Sequence, residues 1–190
     1  MMGYTHVVGG AATGLAVSWA AGLGFEGAVA LTAGAVATSK LPDVDAKINR
    51  SPDHRSFPHT LIVGGGAAVV VACIAYVWLW ANASGLAVGP LSAGEVALIA
   101  PGGAIGYLTH LALDAATSSG IWLLVPKDRR IGLPRKYAIT TGGLGELAVL
   151  GVMLVGAFTL GFGVLGDTGL ASVSGAALKG ALEGMVIPGG

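Results

Sequence analysis

The stretch TLIVGGGAAVVVACIAYVWLW, residues 60–80, carries no charged side chain. A helix of about 20 mostly apolar residues spans the hydrocarbon core of a bilayer. The neighbourhood is equally bare, since no Asp, Glu, Lys or Arg occurs from Ser56 to Gly94. Working outward, Val96–Leu113 and Leu147–Gly166 are two further runs of the same kind. The N-terminal stretch from Val7 to Ser39 is also apolar, but Gly22-Leu23-Gly24-Phe25-Glu26-Gly27 interrupts it. Three glycines and a carboxylate in so short a space disfavour a continuous helix. The stretch reads as two shorter helices in a hairpin, with a re-entrant arrangement as the alternative. The sequence therefore predicts an all-α, polytopic helical membrane protein with about four to five membrane helices, the first two forming that hairpin. Residues 1–166 make one membrane-embedded domain. The tail, 167–190, holds Lys179 and Glu183 and reads either as a weakly amphipathic helix or as loose chain.

Composition agrees. Of 190 residues, 54% are hydrophobic and 11% charged, and the mean hydropathy is +0.78. A soluble domain carries roughly 25% charged residues, so this chain could not cover a water-facing surface. A net charge of zero removes the electrostatic case for nucleic acid as a bulk partner. The lone cysteine, Cys73, can form no intrachain disulfide. The opening Met1-Met2-Gly3-Tyr4-Thr5-His6 lacks a basic n-region, which argues against a cleaved signal peptide.

The basic residues give an orientation. Lys40, Lys47, Arg50 and Arg55 fall in one loop, and Lys127, Arg129, Arg130, Arg135 and Lys136 in another, leaving only Lys179 elsewhere. Two spans separate the loops, so both lie on one side. The positive-inside rule makes that side cytoplasmic, with the chain in the inner membrane. Trp78, Trp80 and Trp122 suit an interfacial aromatic belt.

Ionisable groups near membrane segments are costly and usually functional, and here they converge. His6 precedes the first apolar run. Asp43 and Asp45 follow that run in Leu41-Pro42-Asp43-Val44-Asp45. His54, Arg55 and His59 stand just before the span that begins at Thr60. His110 and Asp114 lie at the cytoplasmic end of the next span. A spacing of four puts His110 and Asp114 on one helix face, one turn apart. Neutral imidazole and carboxylate are ligands for zinc, and for manganese or iron where oxygen dominates. The candidate ligands are His6, Asp43, Asp45, His54, His59, His110 and Asp114, more than one closed tetrahedral site needs. That excess favours a two-metal or open catalytic centre. Several of the polar residues here have a plainer reading. His54 would be a solvated interfacial histidine, Asp43 and Asp45 a helix terminus after Pro42, His6 a loose end, and Arg55 a lipid-phosphate anchor.

The set Thr5-His6, Leu41-Pro42-Asp43-Val44-Asp45, His54-Arg55-x-x-x-His59 and Gly106-Tyr107-Leu108-x-His110-Leu111-x-Leu113-Asp114-x-x-Thr117 resembles the membrane-bound metal-dependent hydrolases of the LexA-regulated, YdjM-like family. Ser119-Gly120-Ile121-Trp122-Leu123-Leu124-Val125-Pro126 is similar to that family's segment after the aspartate, so the likeness covers about residues 4–130. Ser56 stands where a glycine is usual and Pro58 where a threonine is usual. Neither departure removes a ligand. The family is distantly similar to zinc-dependent phospholipases C. That resemblance implies phosphoester hydrolysis by two divalent ions, zinc or alternatively manganese. It puts Asp114 between them, His6 on one, Asp45, His59 and His110 on the other, with Glu146 a weak extra ligand.

The function expected is a membrane-embedded hydrolase acting on a phosphoester of a lipid or lipid-linked substrate at the cytoplasmic interface. In that reading Asp43, or whichever of Asp43 and Asp45 is not a ligand, is the general base, and Arg55 steadies the anionic substrate. The competing class is a non-catalytic membrane protein with a structural metal or an ion-handling role. A transporter would string polar residues at several depths, whereas these cluster at one face. No His-Glu-x-x-His pattern supports a peptidase.

Overall fold

The computed structural model describes residues 1–43, 60–86, 91–122 and 130–168. Within them lie five α-helices: α1 (Gly3–Ala20), α2 (Phe25–Thr38), α3 (Leu61–Ala83), α4 (Ala93–Ala115) and α5 (Leu144–Thr168). A 3-10 turn, Leu41–Asp43, follows α2, and two-residue strands β1 (Ile121–Trp122) and β2 (Arg130–Ile131) pair antiparallel between α4 and α5. The protein is an all-α helical membrane protein, with α3, α4 and residues Leu144–Val164 of α5 each long and apolar enough to cross a bilayer.

The N-terminal hairpin forms where the glycines stand. Gly22 takes φ 63° with nothing near its missing Cβ, so conformation rather than space selects glycine. Gly22 N–H donates to the Trp19 carbonyl and Leu23 N–H to the Ser18 carbonyl, the paired bonds that close a helix through a left-handed residue. Gly24 then caps α2 in extended conformation. The far end of α3 repeats the device, with Gly85 at φ 82° and Leu86 N–H on the Ala81 carbonyl.

Small residues set the helix crossings. α1 runs antiparallel to α2, with Gly10 against Ala35 and Ser39, and Gly14 against Thr32. α2 and α4 run parallel and approach most closely. A Cβ at Gly34 would strike the Ile99 carbonyl, one at Gly102 that of Leu31, and one at Gly106 that of Ala35. Thr38 Oγ1 donates across this crossing to the Gly103 carbonyl at 2.6 Å. Within a bilayer such close backbone approach and interhelical hydrogen bonding replace the hydrophobic drive available in water. α3 packs antiparallel on α4, where Gly64 receives the Tyr107 ring, and α5 runs parallel to α1, with Trp19 beside Gly163.

These directions bring the N-termini of α1, α3 and α5 and the C-termini of α2 and α4 to one end of the bundle. The chain leaving α4 folds back over that end. Leu133 N–H donates to the Ala115 carbonyl and Ile139 N–H to that of Ala116, while Ile121 is buried against Tyr107 and Leu111.

Two helices extend beyond the apolar runs that mark them. α4 begins at Ala93 rather than Val96, because Ser92 and Glu95 form a reciprocal capping box. α5 begins at Leu144 rather than Leu147 and takes Glu146 into its first turn. The tail from residue 169 onward lies outside the described residues.

Candidate metal centre

The site is built on the last two turns of α4, whose buried face meets α1 and α2. His110 is fully buried, and its Nδ1 lies 2.6 Å from the carbonyl oxygen of Ser39, the residue capping α2. A carbonyl only accepts, so Nδ1 carries the proton and Nε2 presents its lone pair. That Nε2 faces two carboxylates: Asp43 Oδ1 at 3.7 Å and Asp114 Oδ2 at 3.8 Å. A backbone carbonyl fixing the ring through its other nitrogen is the usual arrangement of a metal-ligating histidine.

His6, from the first turns of α1, stacks on His110 with ring centroids 3.8 Å apart and planes inclined by 20°. It is wholly buried, and neither ring nitrogen makes a hydrogen bond. Its Nε2 lies 3.3 Å from Asp114 Oδ1 without the alignment a hydrogen bond needs. Leaving a buried polar group unsatisfied costs about 1–3 kcal/mol, so a site that keeps one is arranged for something that would satisfy it. Asp43 ends the 3-10 turn after Pro42, with its side chain 30% exposed, the most open of the four groups. Ligand atoms from His6, Asp43 and His110 lie within 4.8 Å of one another. Asp114, 1% exposed, contacts both histidines and also receives the Met1 amino group at 2.7 Å.

The donor set fits a divalent ion. Zinc binds imidazole nitrogen and carboxylate oxygen at about 2.0–2.2 Å, which places neighbouring tetrahedral ligands roughly 3.3–3.5 Å apart. The His6–Asp114 separation of 3.3 Å and the His110–Asp43 separation of 3.7 Å need little adjustment to meet that spacing.

Of the residues predicted from sequence, the structure thus brings together His6, Asp43, His110 and Asp114. Asp45, His54, Arg55 and His59 lie outside the described residues. Thr60, which follows His59, is buried and held at the same end, its carbonyl accepting from Tyr107 Oη at 3.0 Å. Glu146 is fully buried, but its oxygens serve other donors: Met2 N–H at 2.6 Å, Thr5 Oγ1 at 2.7 Å and Gly142 N–H at 2.7 Å. Sequence reasoning missed Ser39, which acts through its backbone and leaves no signal in residue type. Thr117 shapes the same end, its hydroxyl donating to the Asp114 carbonyl at 2.7 Å.

Stacked imidazoles thus lie buried among carboxylates at one end of a bundle whose described residues include three membrane-length helices. The profile of the YdjM inner membrane protein family matches residues 1–179. The chain belongs to that family. The match takes in every described candidate ligand and all five described helices, so the candidate site lies inside the span that defines the family and not in an appendage. Membership places the protein in the inner membrane. No curated protein and no solved structure matches the chain.

Proposed function

We propose that the protein is a membrane-embedded, metal-dependent hydrolase that cleaves a phosphoester of a lipid or lipid-linked substrate. The observation that supports this most is His6: a wholly buried imidazole with no hydrogen bond at either nitrogen, within 4.8 Å of donor atoms from Asp43 and His110. A divalent ion held there, zinc or alternatively manganese, would supply Lewis acidity and a water of lowered pKa.

The chain's own groups divide the remaining work. His110, with its tautomer set by the Ser39 carbonyl, and His6 supply nitrogen ligands, and Asp114 supplies a carboxylate between them. Asp43, the one partly exposed carboxylate of the cluster, is placed to take a proton from water arriving at the rim. His6, His110 and Asp114 would leave the fourth position of one tetrahedral ion open to water. A second ion would draw on Asp45, His54 and His59, and Arg55 would hold the substrate's negative charge.

Orientation follows from charge. Nine of the ten Lys and Arg residues fall between residues 40 and 136 in the two connections that leave the site end of the bundle. The positive-inside rule puts that end in the cytoplasm, so a substrate already resident in the inner leaflet reaches the site without leaving the membrane. Tyr137, which is 66% exposed, tests this. In a Cys73→Ser background, Tyr137→Cys should react with an impermeant maleimide in inverted vesicles and not in intact spheroplasts. The opposite pattern would reverse the orientation.

The function is tested by elemental analysis of detergent-purified protein beside His110→Ala and Asp114→Ala, followed by assay on phospholipid phosphoesters. Bound zinc or manganese in the wild type, lost in both variants together with hydrolysis, is the expected result. Hydrolysis surviving both substitutions ends the proposal. Wild-type protein that stays metal-free after incubation with both ions leaves the family fold as a non-catalytic one.

A further inference from the structure

We infer that Glu146 is a positioning residue for His6: one buried carboxylate clamps the first turns of two helices and thereby fixes the rotation of α1. The inference rests on the metal-site reading only for its affinity readout. The geometry stands apart from it.

Glu146 sits in the first turn of α5 with no exposed surface. A carboxylate is kept in such a place only when donors surround it, and three do. One oxygen receives Met2 N–H at 2.6 Å and Thr5 Oγ1 at 2.7 Å. The other receives Gly142 N–H at 2.7 Å. The α1 N-cap, Met2, has no side-chain cap of its own, and Glu146 accepts its N–H from α5 as the N3 carboxylate of a capping box does locally. Gly142, two residues before α5, turns its N–H inward at φ 77° with open space where a Cβ would be, so the same carboxylate also holds the turn that leads into its own helix. Negative charge beside two helix N-termini is favourable as well. Both oxygens are committed to N–H and O–H groups, which suits an anchor and not a ligand.

Thr5 is the residue before His6. Successive side chains on a helix point about 100° apart, so with Thr5 directed to α5, His6 is directed to α4. The imidazole has no hydrogen bond to hold it. Its orientation depends on stacking against His110 and on the rotation of α1, which the Thr5–Glu146 bond sets. The Met1 amine on Asp114 restrains where the chain starts but not how the helix is turned.

The test measures zinc affinity and melting temperature of detergent-purified wild type, Thr5→Val, Thr5→Ser and Glu146→Gln. Thr5→Val keeps the side-chain shape and loses the donor, and should weaken zinc binding about tenfold. Thr5→Ser keeps the donor and should bind as the wild type does. Glu146→Gln leaves one accepting oxygen where three donors converge on two, and should weaken zinc binding as well. Equal affinities for Thr5→Val, Thr5→Ser and wild type would overturn the inference and leave the metal reading standing. Wild type that binds neither zinc nor manganese would sink the metal reading instead. The positioning is then read from the His6 imidazole signals of metal-free 15N-labelled protein. A displacement in Thr5→Val that is absent in Thr5→Ser upholds it, and coincident spectra refute it.

Discussion

α3 and α4 are both 23 residues long, both satisfy the length and composition of a membrane span, and they lie side by side. They share little else. Almost none of the most apolar window of α3 is buried inside the protein, Ala75 apart, whereas half of that of α4 is. α3 shows Val69, Val70, Ile74, Tyr76 and Val77 outward. α4 buries Gly102, Gly103, Gly106, Tyr107, His110 and Asp114. Apolarity qualifies a helix for the membrane, but the distribution of its small and polar residues decides its place there. A helix that is apolar all round can face lipid on any side. One that carries glycines and a His-x-x-x-Asp pair has to turn that face toward protein.

The contrast can be broken most severely at Gly106, where a Cβ would run into the Ala35 carbonyl of α2. Gly106→Val should prevent α2 and α4 from meeting and cost more than about 4 kcal/mol. Little folded protein would be recovered, as judged by size-exclusion chromatography in detergent. A monodisperse, normally melting variant would mean that the α2–α4 crossing is not what holds the bundle. An intermediate effect is expected where the two helices touch. Tyr107→Phe removes the hydrogen bond to the Thr60 carbonyl, 3.0 Å long, and leaves the ring on Gly64. A loss of about 1 kcal/mol, read as a few degrees in the melting curve, would confirm that the contact is made. The smallest effect belongs to α3 itself. Gly65 has nothing within 4 Å of the place where a methyl group would stand, so Gly65→Ala should leave the melting temperature unchanged or raise it slightly, Ala being the better helix former. A clear destabilisation would show that α3 has a protein partner on that side.

Much of the architecture can be read from residue type alone. The break at Gly22 and Gly24 is visible because closely spaced glycines end helices, and the structure turns there through Gly22 at φ 63°. His110 and Asp114 are legible as a pair from their spacing, and their meeting with His6 and Asp43 follows from alternating helix directions. Hydropathy is less reliable at helix ends. It stops where a charge appears, yet Glu95 and Glu146 lie within their helices because each accepts hydrogen bonds from backbone at a helix start. The Ser92-x-x-Glu95 pattern carries that information and outranks hydropathy as a boundary signal. What stays illegible is contact made by the backbone or across long separations. The Ser39 carbonyl on His110 is the first kind. Glu146 on Thr5, 141 residues away, is the second, and it changes the carboxylate from an extra ligand to an anchor.

The Glu146–Met2 contact joins residues 144 apart in the chain. A ribosome adding about 5–20 residues per second takes roughly 7–30 s to cover that interval. Throughout it the helix bearing His6 already exists while the carboxylate that turns it does not. The N-terminal imidazole is therefore synthesised first and secured last. A nascent chain arrested before α5 would own all four described candidate ligands and still lack the part that aligns them.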